Sequence, residues 1–290
     1  MKLQTKFNLA MLGAFAVGLG LSSLIAFKIS DDTARRDVLR QASLMASEGE
    51  GASHYTDQEI APLLAKGGGF QPQMIPFLAA QDQFRRVQKD WPDYSYKVAA
   101  LNPTDPTDKA ADWEAAIINR FRTEATLKRI VTQRDTADGP ILSLSKPIKI
   151  SDPGCLQCHS TPDKAPAAMV ALYGGTGGFG WKPNETVGAQ IVSVPMRVAL
   201  AHARESFVWF LGGLTLVFVA TMVALNLLLR FVLVTPAGEI ASLANEVSLG
   251  RTDIPEYPVK GKDEIASLAE SFNRMRRSLT NAMKLLDEQP

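Results

Sequence analysis

Two stretches of this chain carry no charged side chain: residues 7–27, 21 in a row, and residues 206–229, 24 in a row. A helix rises about 1.5 Å per residue, so each run can cross a hydrocarbon layer of about 30 Å. A purely water-soluble enzyme is thereby excluded. The first run follows Met1-Lys2-Leu3-Gln4-Thr5-Lys6 and ends in Ile25-Ala26-Phe27-Lys28. A secretory signal has an apolar region of only about 7–15 residues and closes on small residues. Here the run is longer and flows straight into a charged helical pattern, so it reads as an uncleaved anchor. The second run opens with Phe207-Val208-Trp209-Phe210, an aromatic cluster suited to a membrane interface, and exits at Arg230. Lys2 and Lys6 have no acidic neighbours and favour the cytoplasmic side. The expected layout is then a cytoplasmic start (1–6), a first span (7–27), an outer domain (28–205), a second span (206–229) and a cytoplasmic tail.

Charge narrows the partners. Lys and Arg total 31 against 30 Asp and Glu, and a nucleic-acid binder would carry a basic excess. No nucleic-acid partner is expected, whereas membrane lipid is.

Both cysteines fall in Cys155-Leu156-Gln157-Cys158-His159. This is the C-x-x-C-H pattern of covalent c-type haem attachment. Two thiols about one helical turn apart can each form a thioether to a haem vinyl group, and the adjacent His159 reaches the iron as proximal ligand. A zinc site would need a further ligand and no third Cys exists. A thioredoxin-like redox pair would sit in a βαβ pattern, and none surrounds Cys155. One haem c per chain is the reading, and the outer placement agrees, because bacteria attach such haems outside the cytoplasmic membrane. For the second axial position the other histidines are His54 and His202. His202 lies within four residues of the second span. That leaves His54 as a possible distal iron ligand, with Met45, Met74, Met169, Met196 or an open site as alternatives.

The outer segment reads as α+β. A helix over 32–66, capped at Ser30 or Asp31, is stopped by Gly67-Gly68-Gly69. A second helix covers 75–89, with Pro76 near its start. Residues 94–101 are rich in strand formers. Residues 102–108 hold two prolines and form a loop. Helix 111–124 aligns Trp113, Ile117 and Phe121 on one face. Strands are expected over 127–133 and 141–150 around the turn Asp138-Gly139, and over Thr186–Pro195. The glycine run 174–180 lacks the Lys-Ser/Thr of a P-loop and reads as a flexible wrap beside the haem.

Several local matches give this region, about 45–200, a resemblance to a known family. They are Trp91-Pro92-Asp93-Tyr94-Ser95-Tyr96-Lys97, Asn102-Pro103 with Asp112-Trp113-Glu114, the cysteine motif, then Tyr173-Gly174, Gly178-Phe179-Gly180-Trp181 and Val187-Gly188-Ala189. The segment resembles the periplasmic PAS-like c-haem sensor domains, relatives of a cyanobacterial c-haem protein. The resemblance implies a PAS-like fold. Some relatives ligate the distal side with a cysteine on the first helix. This chain has no third cysteine, so that ligation does not carry over.

In the tail, Ile240, Leu243 and Val247 recur at helical spacing and Gly250 ends that helix. A connector over 251–261 contains Pro255 and Pro258. Beyond Asp263-Glu264, the residues Ile265, Leu268, Phe272, Met275, Leu279, Ala282 and Leu286 follow spacings of 3 and 4, a heptad seam. Two short heptad helices cannot bury their seams alone, and a parallel four-helix bundle in a homodimer would. Pro236, Gly250, Asp263-Glu264-Ile265, Leu268, Phe272-Asn273 and Met275 resemble a HAMP domain, here over 230–286, with 287–290 as a terminal tail. That resemblance implies relay of membrane-helix motion. Four residues leave no room for an output module.

Together these readings point to a two-pass protein of the bacterial inner membrane. Its periplasmic haem domain would detect redox state or a diatomic gas and inform a separate cytoplasmic signalling protein. No enzymatic acid–base group can be placed beside His159, so no enzyme is expected. The rival is a membrane-anchored c-type cytochrome that transfers electrons to a redox partner.

Overall fold

A computed structural model describes residues 3–251 and 253–287. The terminal tail expected over 287–290 thus lies almost wholly outside the described residues. The chain divides into two compact units, Phe27–Phe207 and Met1–Ala26 with Val208–Pro290.

The unit Phe27–Phe207 is α+β around a four-stranded antiparallel sheet of order β1-β4-β3-β2, from β1 (Ser95–Ala100), β2 (Ile130–Thr136), β3 (Gly139–Lys149) and β4 (Thr186–Pro195). Helix α1 (Leu3–Tyr55) runs through Ser30 and Asp31 without the expected cap. No Gly or Pro interrupts residues 28–48, so the helix propagates where a new one was expected to nucleate. Its stripe Val38, Ala42 and Ala46 packs on Leu142, Leu144, Val192, Val194 and Met196. The two alanines let the helix backbone approach closely, and buried Gln190 donates through Nε2 to Ala46 O at 2.9 Å. A side chain at Gly49 would meet the Tyr96 ring, which stacks on Phe84 at 4.4 Å.

On the opposite face, α4 (Asp112–Thr123) sets Ile117, Ile118 and Phe121 against Ala99, Ile130, Ala189 and Ile191. Covered from both sides, β4 is buried along nearly its whole length. The outer edge of β1 is capped by α3 (Pro76–Val87), whose Gln81 Oε1 accepts from Val98 N–H at 3.3 Å. The β2–β3 turn has two residues, Ala137 and Asp138, with Thr136 opposite Gly139. That register starts β2 at Ile130, three residues later than its apolar pattern suggests.

After α1, a π-helical segment (Thr56–Ile60) leads into α2 (Ala61–Lys66). A second one (Leu229–Val234) links α7 (Arg197–Leu228) to α8 (Thr235–Ser248). Each is followed by a proline at the second position of the next helix, Pro62 and Pro236. Proline has no N–H and crowds the carbonyl four residues back, and a widened turn accommodates both.

In the unit of Met1–Ala26 with Val208–Pro290, Phe15 stacks on Phe218 at 4.8 Å. Two helical stretches, Gln4–Lys66 and Arg197–Ser248, are long and apolar enough to cross a membrane. Their apolar side chains face outward, with Leu24 71%, Leu216 70% and Trp209 75% exposed, as a lipid-facing helix requires. Helix α8 packs on α9 (Glu264–Asp287) through Ile240, Val247, Ala269 and Phe272. The connector is clasped by Asn273, whose Oδ1 accepts from Tyr257 N–H and whose Nδ2 donates to Tyr257 O. The expected heptad seam is thereby divided. Phe272 and part of Ile265 are spent on α8 in the same chain, while Leu268, Met275, Leu279 and Ala282 stay exposed. The Leu286 side chain lies outside the described residues.

Candidate functional site

The segment between β3 and β4 is pinned at its base, where Ile150 N–H donates to Glu185 O and Asn184 N–H to Ile150 O. Asp152 then turns the chain by accepting from Gly154 N–H at 2.7 Å. This starts α5 (Cys155–His159), a single turn that the sequence pattern did not reveal as a helix. Cys155 and Cys158 are three residues apart on that turn, half-buried and not joined to each other. Burial pushes the Cys158 thiol above its usual range, and burial with the nearby Asp152 and Asp57 carboxylates does the same for Cys155. On their own, both therefore rest as thiols near neutral pH.

His159 closes the turn. Its Nδ1 lies 2.7 Å from Gly178 O. A carbonyl can only accept, so Nδ1 carries the proton and Nε2 keeps its lone pair. The Trp181 ring stacks on the imidazole at 4.0 Å with 14° between planes. Burial lowers the His159 pKa, with the Gly178 bond opposing, so the ring is neutral at pH 7. It is a single nitrogen donor held ready for a transition metal. Among the described residues no cluster of three or more His, Cys, Asp or Glu side chains is placed to hold a metal ion.

The glycine run 174–180 is less slack than a flexible wrap. Gly180 N–H donates to Ser160 O at 2.9 Å and Trp181 N–H to His159 O at 3.3 Å. Asn102 accepts from Gly178 N–H and donates to Phe179 O. The helix α6 (Ala167–Tyr173), also unforeseen, buries Met169. Gly178, Trp181 and Asn102 stand beside His159 only through folding. Their signals in the sequence were the family-like motifs around Asn102 and Phe179 and the glycine run itself, none of which paired them with His159.

His54 is not among the hydrogen-bond partners of His159. It is exposed in the last turn of α1, and no hydrogen bond joins it to that neighbourhood among the described residues. A cavity of about 530 Å³ opens between α1 and α3, lined by Gly51, Ala52, Tyr55, Thr56, Ala79 and Gln83 among others, but not by His54. Asp57, one residue past this lining, is close enough to Cys155 to raise its thiol pKa. Met196 and Met169 are buried, Met45 packs against the α1 core, and the Met74 sulfur accepts from Gln71 N–H. His202 is exposed on α7.

Comparison with known proteins divides the chain the same way. The Tll0287-like family model (Tll0287) matches residues 31–195, and the HAMP domain model matches residues 228–281. Among solved structures, the cyanobacterial heme-protein Tll0287 is similar at 16% identity and a TM-score of 0.40, over 52% of this chain and 94% of that one. No curated protein matches.

Proposed function

The chain belongs to the Tll0287-like family and continues into a HAMP domain, and from that premise we propose that it is a membrane-bound c-type haem sensor. Cys155 and Cys158 would hold the haem through thioethers and His159 Nε2 would ligate its iron. The observation that carries this reading is the commitment of His159 Nδ1 to Gly178 O beside two free cysteines on one turn. The donor set fits the group: each S–H would add across a vinyl double bond, giving one C–S and one C–H bond with no net redox change. When bound, the haem supplies a one-electron couple or a site for a diatomic ligand. The chain's own residues keep the imidazole neutral, fix its tautomer and cover one ring face with Trp181.

In this proposal residues 7–27 and 206–229 span the bacterial inner membrane, 28–205 form the periplasmic sensor, and 230–286 form the HAMP domain. Relay is supported by the junction at the end of β4. Only Met196, itself buried, separates Pro195 from Arg197, the first residue of α7, and Arg197 pairs with Asp93 before β1. A shift of the sheet therefore enters the helix without a slack linker. The exposed Leu268, Met275 and Leu279 suit a homodimeric bundle, which would signal to a cytoplasmic output protein.

Spectra of the purified full-length protein, oxidised, reduced, and treated with CO or NO, test the sensor chemistry. A haem that shows neither a spectral change on reduction nor gas binding would remove it. For the sixth position His54 is the exposed donor left on α1, since Met169 and Met196 are committed to the core. His54→Ala is expected to turn a six-coordinate low-spin spectrum high-spin. An unchanged spectrum would point to a methionine or an open site.

A further inference from the structure

Residues 102–104 and 177–179 grip each other although they lie more than 70 positions apart, and the grip is built around the carbonyl that orients His159. Gly178 is buried at φ +77°, and a Cβ there would fall 2.0 Å from Thr104 Oγ1. A Cβ on Gly177 would fall 2.4 Å from Pro103 O. Neither position accepts a side chain: Gly177 sits against the Pro103 carbonyl, and Gly178 against both the Cα and the hydroxyl of Thr104. Asn102 then holds the chain on both sides of the Gly178 carbonyl. Its Oδ1 accepts from Gly178 N–H at 3.4 Å, and its Nδ2 donates to Phe179 O at 3.1 Å. The peptide whose oxygen faces Nδ1 is therefore clamped before and after.

We propose that Asn102 is a positioning residue for His159: by fixing the Gly178 carbonyl it sets the Nδ1–H tautomer and the strength with which Nε2 donates to a haem iron. This rests on the haem reading and adds to it the element that tunes the ligand. A firm Nδ1–H to carbonyl bond enriches the imidazole in electron density and favours the ferric state. Loosening the carbonyl weakens that bond, so the ferrous state gains and the midpoint potential rises.

Asn102 is exposed, so its replacement opens no core cavity. The test uses full-length protein in detergent, as wild type, Asn102→Ala and Asn102→Leu. Both variants remove the two hydrogen bonds, while the leucine keeps the bulk. Expected are retained covalent haem, an upward shift of midpoint potential in both, and a displaced Nδ1–H proton resonance in the ferric spectrum. Wild-type potential and resonance in both variants, even with lowered thermal stability, would overturn the inference and leave the haem reading standing. A wild-type chain without covalent haem would overturn both.

Discussion

Replacing Cys155 and Cys158 together by Ser is expected to abolish haem staining on a denaturing gel. A thioether survives detergent and heat, whereas a haem held by His159 alone dissociates when the fold that buries the ring is lost. Each single variant, Cys155→Ser or Cys158→Ser, keeps one thioether and should retain stain. Serine preserves the size of each side chain on α5, where both cysteines are only half-buried, so the fold is expected to persist. The double variant should therefore be membrane-inserted at wild-type level with a colour loss close to complete. Stain retained in the double variant would mean that the motif does not anchor the haem.

The second large effect concerns the sheet that carries the site. Leu144 is 1% exposed and packs with Val38, Ala42 and Val192 between α1 and the sheet. Leu144→Ala removes three carbons and leaves a cavity that tightly packed neighbours cannot fill. Such truncations cost about 2–5 kcal/mol. Whole domains are stable by only about 5–15 kcal/mol, so the melting point of the unit Phe27–Phe207 should fall by many degrees. Thermal unfolding followed by far-ultraviolet circular dichroism reads this directly. A melting point within error of wild type would mean that α1 is not seated on β3 and β4 as described.

Much of the fold of Phe27–Phe207 was legible because its elements are bounded by strong local signals. Thr186–Pro195 is an apolar, β-branched run closed by proline, and the strand has those limits. The glycines at 67–69 stop the helical stretch Gln4–Lys66 where expected, at the end of α2, with Gly68 and Gly69 at positive φ. Misses came where tertiary structure or length overrode local pattern. The two-residue turn fixed the β2 register and moved the strand past Leu127, which packs beside α4 instead. Helices α5 and α6 are of five and seven residues, too short to show a period.

At the candidate site, the spacing of Cys155, Cys158 and His159 was readable, but not which imidazole nitrogen is free. That depends on Gly178 O, 19 residues away, and on Asn102, 76 residues from Gly178. No window along the chain contains that pairing. Heptad spacing likewise cannot tell a residue that packs within the chain, such as Phe272, from one left for a second copy, such as Leu268. Both lie on the same apolar stripe.

In the proposed sensor, the state of the haem is reported at the HAMP domain. Leu268→Cys places a thiol on the exposed side of α9, where a two-chain seam would bring it close to its counterpart. Cross-linking with a bifunctional thiol reagent, in full-length protein in membranes, leaves the haem free to be poised ferric or ferrous independently. Two packings of such a bundle separated by a few kcal/mol would give different yields. The expected result is a cross-linked dimer whose yield changes between ferric and ferrous haem, or on adding CO or NO. Equal yields in every haem state would contradict sensing and favour a membrane-anchored electron carrier.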